Sequence, residues 1–146
     1  MMRRKFALEI PPDTDCLVLV REWIRSLADS AGFPDATIDE MILAIDEACA
    51  NSIKSLQDGR GGREKSVRIN IALSQDALVA TVEDGGSEFH RHFDNATPLR
   101  DECMIPQTGG FGLRIIKTLM DSVTYNHTPG VGNRLEMVKT CSQQRG

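Results

Sequence analysis

Glu40-Met41-Ile42-Leu43-Ala44-Ile45-Asp46-Glu47-Ala48-Cys49-Ala50-Asn51-Ser52-Ile53-Lys54 is the stretch whose reading decides the fold. At about 3.6 residues per turn, Ile38, Met41, Ile42, Ile45, Cys49, Ile53 and Leu56 gather on one side. That spacing predicts a helix with this side in the core. A second stripe holds Glu40, Ala44, Glu47, Asn51 and Lys54, an acid, an amide and an ammonium with the small Ala44 and Ala48 beside them. An ordinary solvated face would read the same way, so the polar stripe gains meaning only from what the rest of the chain brings to it.

The totals narrow what that can be. A chain of 146 residues with 40% hydrophobic and 26% charged side chains suits one soluble domain, residues 1–146. Its net charge of -4 supplies no basic field for a phosphate backbone, which argues against direct nucleic-acid binding. Cys16, Cys49, Cys103 and Cys141 are scattered with no CxxC pair, which fits reduced thiols and a cytoplasmic protein. No apolar run approaches a membrane span.

Upstream of the central helix, Phe6, Leu8 and Ile10 alternate as a strand that Pro11-Pro12 ends. Asp13 or Thr14 then caps a helix carrying Leu17, Val20, Ile24, Leu27 and Ala31, with Trp23 and Ala28 widening its apolar stripe and Gly32 stopping it. Thr37 or Asp35 is the candidate cap of the central helix and Gly59 its stop. Downstream, Val67, Ile69, Ile71 and Leu73 alternate cleanly, and Gln75-Asp76 turns the chain into a second strand over residues 77–83. Asp84-Gly85-Gly86-Ser87-Glu88-Phe89 follows, opening an aperiodic stretch to Thr108 of the length expected for a functional loop or lid. Within it His90, His92 and Cys103 lack the fourth ligand and the spacing of a zinc site. Thr108-Gly109-Gly110-Phe111-Gly112-Leu113 precedes a helix bearing Ile115, Ile116, Leu119 and Met120, and such glycines can expose N-H groups to phosphate oxygens. Residues 123–126 and 134–140 close the chain as a hairpin across Pro129-Gly130-Val131-Gly132.

Three of these motifs, in this order, resemble the GHKL ATPase/kinase superfamily, and within it the small anti-sigma-factor serine kinases of the RsbW and SpoIIAB type. Glu47-Ala48-Cys49-Ala50-Asn51-Ser52-Ile53-Lys54 is similar to the family's N box, Asp84-Gly85-Gly86-Ser87-Glu88-Phe89 to its G1 box, and the run from Gly109 to Asp121 to its G2 box and following helix. Gly132-Asn133-Arg134-Leu135-Glu136-Met137-Val138-Lys139 resembles its closing strand. The chain departs from the pattern at Ser55-Leu56-Gln57, where a histidine and an aromatic are common, and at Glu88 in place of glycine.

The resemblance implies an α+β fold: a two-layer sandwich of the Bergerat type, with a mixed, mostly antiparallel sheet covered on one face by about three helices. It implies ATP and Mg2+ as cofactors and a lid at about residues 86–110. Glu47 would be the general base for a serine or threonine hydroxyl, and Asn51 the Mg2+ ligand, consistent with magnesium's preference for hard oxygen donors. Lys54 would approach the phosphates, Asp84 would accept from the adenine amino group, and Gly86 would let the backbone pass the base. Thr108, Gly109, Gly110, Phe111, Gly112, Leu113 and Arg114 would line the phosphate site. The expected partners are a sigma factor or related regulator, bound, and a STAS-domain antagonist, phosphorylated; the resemblance also suggests a homodimer. Two alternatives stay open: a catalytically silent ATP-dependent interaction module, and a stand-alone histidine-kinase-like ATPase domain.

Overall fold

A computed structural model describes residues 3–57, 66–86 and 110–141, with the backbone alone given for 110–112. Strand β1 (Arg4–Ile10) ends at the two prolines. The Asp13 carboxylate then caps a short 3-10 helix, Thr14–Cys16, by accepting from the Asp15 N-H at 2.9 Å. Helix α1 (Leu17–Ser30) buries Leu17, Val20, Ile24 and Ala28, and Gly32 ends it at φ 87, a left-handed conformation that costs glycine least.

The central helix is α2 (Asp35–Gln57). Its first bond runs from the Ile38 N-H to the Pro34 carbonyl at 3.0 Å. Thr37 lies inside the first turn with its hydroxyl 3.9 Å from the Cys141 Sγ, so it is not the cap. Gly59, the expected stop, lies outside the described residues. Ile38, Met41, Ile45, Cys49, Ile53 and Leu56 are buried as the wheel requires, and Ile42 partly so. Ala44, Ala48, Ser52 and Ser55 are buried as well. The physical reason is that α2 packs against two helices, not one, so a second side of it is interior.

Strands β2 (Val67–Leu73) and β3 (Ala77–Asp84) form the expected hairpin, closed by the Ser74 N-H donating to the Ala77 carbonyl at 2.9 Å. Helix α3 (Gly110–Leu119) follows, then β4 (Ser122–Thr128) and β5 (Gly132–Thr140). Several element ends differ from the sequence reading, β1, β3 and β4 each running one to two residues longer at one end or both. Gly110 and Gly112 belong to the first turn of α3 and do not precede it, and Gly132 belongs to β5 and not to the turn.

The sheet order is β1-β2-β3-β5-β4. All pairings among the described strands are antiparallel, so the sheet is open and antiparallel, without the parallel component of a mixed one. All three helices pack on one face, giving the expected two-layer α+β sandwich. Cross-strand register puts Leu8, Ile69, Val82, Leu135 and Tyr125 in one row of the covered face, and Phe6, Ile71, Ala80, Met137 and Val123 in the next. Full burial of side chains such as Ile24, Ile45, Ile69 and Met137 stabilises the fold by roughly 1.5–3 kcal/mol apiece. The last row at the rim of this face reads Ile10, Val67, Asp84, Asn133 and His127. Apolar residues thus give way to polar ones where the candidate site begins.

Candidate functional site

Asp84 is the last residue of β3, and its register turns the side chain toward the helices. Oδ1 accepts from the Gly86 N-H at 2.7 Å and from Asn133 Nδ2 at 3.0 Å. Oδ2 is buried and has no partner among the described residues. A carboxylate oxygen withdrawn from water without a donor is costly, which makes Oδ2 a candidate acceptor for a donor outside the described residues.

Gly86 is required here by space. A Cβ at that position would lie 2.3 Å from the Ser55 Oγ and 2.8 Å from the Asp84 Oδ1. Gly132, at φ 134, is required for the same reason, since its Cβ would fall 1.9 Å from the Asp84 carbonyl oxygen. Two glycines from distant parts of the chain therefore clamp the Asp84 turn against α2 and β5.

Contact with Ser55 ties the Asp84 turn to the C-terminal end of α2. Glu47, Asn51 and Ser55 are successive residues at i, i+4 spacing, so they form one line along the helix, spanning about 12 Å of axial rise. Asn51 sits between them with a buried Nδ2 that has no partner among the described residues. Rotating that amide by half a turn presents its oxygen at the same place, so the group can offer a donor or a metal ligand. Glu47 is half-buried, and it forms no hydrogen bond or ion pair among the described residues. Lys54 is exposed on the final turns. Glu40, which began as a member of the polar stripe, is 3.7 Å from Lys139 Nζ, the same ammonium that donates to the Leu119 carbonyl at the end of α3. It serves that helix end and not the site.

Cys49 shares α2 with these residues but is chemically quiet, because burial, assisted by the nearby Asp46 carboxylate, pushes its thiol pKa far up. The first turn of α3 holds Gly110, Phe111 and Gly112, whose backbone N-H groups have no partners within the helix. Leu113 and Arg114 follow, both half-buried. Thr108, Gly109 and the expected lid, with His90, His92 and Cys103, lie outside the described residues. Among the described residues no three His, Cys, Asp or Glu side chains are grouped to hold a metal. On α2 the Asn51 amide carries a hard oxygen of the kind that Mg2+ takes as a ligand.

The sequence alone gives no role to Ser55, Asn133 or Tyr125, which the fold brings to the Asp84 turn. A polar residue in the register position opposite Asp84 is the signal that would have found Asn133, but it needs the β3–β5 pairing to be known.

The candidate site thus lies at the polar rim of a two-layer α+β domain, between α2 and the adjoining ends of β3 and β5. The chain belongs to the histidine kinase-like ATPase domain family, whose model matches residues 10–139. It is thus a GHKL-superfamily protein of the anti-sigma kinase group, as the motifs implied. It is similar to the serine-protein kinase RsbW of Bacillus pumilus (strain SAFR-032), 27% identical over 142 residues that cover 94% of this chain and 86% of that protein. The serine-protein kinase RsbW of Listeria innocua serovar 6a is 29% identical over 134 residues, covering 89% and 84%. The fold matches a crystal structure of the RsbU and RsbW domains of a Mycobacterium tuberculosis protein with a TM-score of 0.69 at 16% identity, over 97% of this chain and 34% of that longer one.

Proposed function

We propose that the protein is an ATP-dependent serine/threonine protein kinase that sequesters a sigma factor or related regulator and phosphorylates a STAS-type antagonist. The observation that supports it best is the line from Glu47 through Asn51 to Ser55, ending at the Asp84 carboxylate, whose Oδ2 has no partner among the described residues. Adenine offers an amino group that Asp84 Oδ2 accepts from, whereas guanine shows a carbonyl there. With the base at the Ser55 end, Asn51 and Glu47, farther along α2, are the residues that would meet the phosphates. The N-H groups at the start of α3, which have no partner within the helix, suit phosphate oxygens together with Thr108 and Gly109, and Lys54 and Arg114 add positive charge. Residues at about 86–110 would act as the lid.

Phosphoryl transfer asks the protein mainly for position and charge neutralisation. Mg2+ supplies electrostatic stabilisation of the phosphate oxygens when bound, and Asn51 is the residue that would hold it. Glu47, without a partner among the described residues, accepts the proton of the substrate hydroxyl as that oxygen attacks the terminal phosphorus and the bond to the leaving diphosphate breaks.

The test is radiolabelling of a STAS-domain protein with the wild type, ATP and Mg2+, followed by identification of the modified residue. Glu47→Gln should bind ATP as before while labelling falls by about 10²–10⁴-fold. Equal labelling by that variant would remove the general-base role. A wild type that forms an ATP-dependent sigma-factor complex without labelling anything would be the silent interaction module, and acid-labile label on a histidine would indicate a histidine kinase domain.

A further inference from the structure

Asp84 is held from two directions, and the two holds differ in kind. The Gly86 N-H belongs to the same turn as the carboxylate and moves with it. Asn133 Nδ2 reaches across from β5, where Asn133 is the direct cross-strand neighbour of Asp84. Asn133 is itself buried, 3% exposed, and its Oδ1 accepts from the Tyr125 hydroxyl and lies 3.1 Å from His127 Nδ1. His127 is the direct neighbour of Asn133 on β4, and Tyr125 the diagonal one.

The chemistry fixes each proton. An amide oxygen only accepts, so both the phenol and the Nδ1 nitrogen facing it must donate, which puts a proton on His127 Nδ1. The amide nitrogen only donates, which is what a carboxylate oxygen accepts. A flipped Asn133 would set its carbonyl oxygen against the carboxylate, so Tyr125 and His127 hold it in the one productive orientation.

We propose that Asn133, oriented by Tyr125 and His127, is a positioning residue that pins Asp84 Oδ1 and thereby aims Oδ2 at the base. The proposal rests on the adenine reading of Asp84. Without the relay a carboxylate can turn about its own axis and share its two oxygens between protein and solvent donors; with it, one oxygen is committed and the other is left to a single external N-H donor. The relay therefore sets how strongly the site prefers a purine with a 6-amino group.

The test compares ATP with purine riboside triphosphate, which carries hydrogen in place of that amino group, by titration calorimetry on the full chain. A hydrogen bond to an ionised group makes the wild type prefer ATP by about 10–100-fold. Asn133→Ala should cut this preference by about tenfold while the affinity for the analogue stays within about threefold, since the analogue never uses the bond. Tyr125→Phe, which removes one oxygen, should cut it by about threefold, and Tyr125→Phe with His127→Ala should approach Asn133→Ala. If Asn133→Ala does not fold, as judged by circular dichroism, the Tyr125 variants decide. Loss of ATP and analogue affinity in equal measure would mean a merely structural role and overturns the proposal, as does an unchanged preference in the variants. A wild type that binds ATP and the analogue equally overturns the base-recognition role of Asp84 together with this proposal, and one that binds neither overturns the kinase reading itself.

Discussion

Replacing Asp84 by Asn exchanges one atom and should invert what the site recognises in a base. Among the described residues Oδ1 has two donors, the Gly86 N-H at 2.7 Å and Asn133 Nδ2 at 3.0 Å, while Oδ2 has none. The asparagine therefore keeps its oxygen toward the two donors and places its NH2 where Oδ2 stood, because the opposite orientation would set three donors against one another. The fold should survive, with a melting temperature within a few degrees of wild type. ATP binding loses a charge-assisted hydrogen bond and gains a donor facing a donor, which costs about 1.5–3 kcal/mol or more. At 1.4 kcal/mol per decade, that is a weakening of roughly 10–150-fold. ITP, with a carbonyl at position 6, meets the new NH2 productively and should bind the variant more tightly than it binds the wild type. Displacement of a fluorescent ATP analogue by ATP and ITP measures both. Equal weakening for both nucleotides, or no change for ATP, would refute the assignment of Oδ2 to the base.

Three further outcomes follow from the same geometry. Asn51→Ala should leave ATP binding in EDTA within about threefold but abolish most of the gain that Mg2+ gives, because the metal's protein ligand is removed; an unchanged Mg2+ dependence in calorimetry would exclude the role. Gly132→Ala must move the Asp84 carbonyl from a 1.9 Å overlap in addition to straining a φ of 134, and should destabilise the protein by about 1–3 kcal/mol or more in urea unfolding. Asp121 is held below the usual carboxylate range, first by the Thr140 N-H at 2.5 Å and further by the Thr140 hydroxyl at 2.8 Å and the Lys139 charge. A depressed carboxylate stabilises the fold above its ordinary value of 3.8 and ceases to do so as pH falls through its lowered value. Asp121→Asn should therefore lower the thermal midpoint slightly at pH 7 and converge with wild type in strong acid; a difference constant across pH would contradict it.

Most of the elements were legible because their signals are local. The period-two run from Val67 to Leu73, the turn at Gln75-Asp76, and the helical spacing of Leu17, Val20, Ile24 and Ala28 each depend on near neighbours, and the structure keeps all of them. The motif order also identified the family. Element ends were less legible, because Gly110 and Gly132 can occupy a turn or a regular element equally well, and packing chooses between them.

By itself the sequence determined the apolar side of α2, the hairpin that delivers Asp84 and the residue types that suit a nucleotide. It could not determine which polar side chains would meet. Ala44 is interior because α2 packs against both α1 and α3, which bury more of it than a single wheel predicts. Ser55 lies against the Asp84 turn only because α2 crosses the sheet at that rim, and Asn133 reaches Asp84 from 49 residues away only because β5 pairs with β3. Local periodicity specifies which face of an element is buried. The partner buried against it depends on strand order and helix packing, and the open oxygen of Asp84 exists only once those are set.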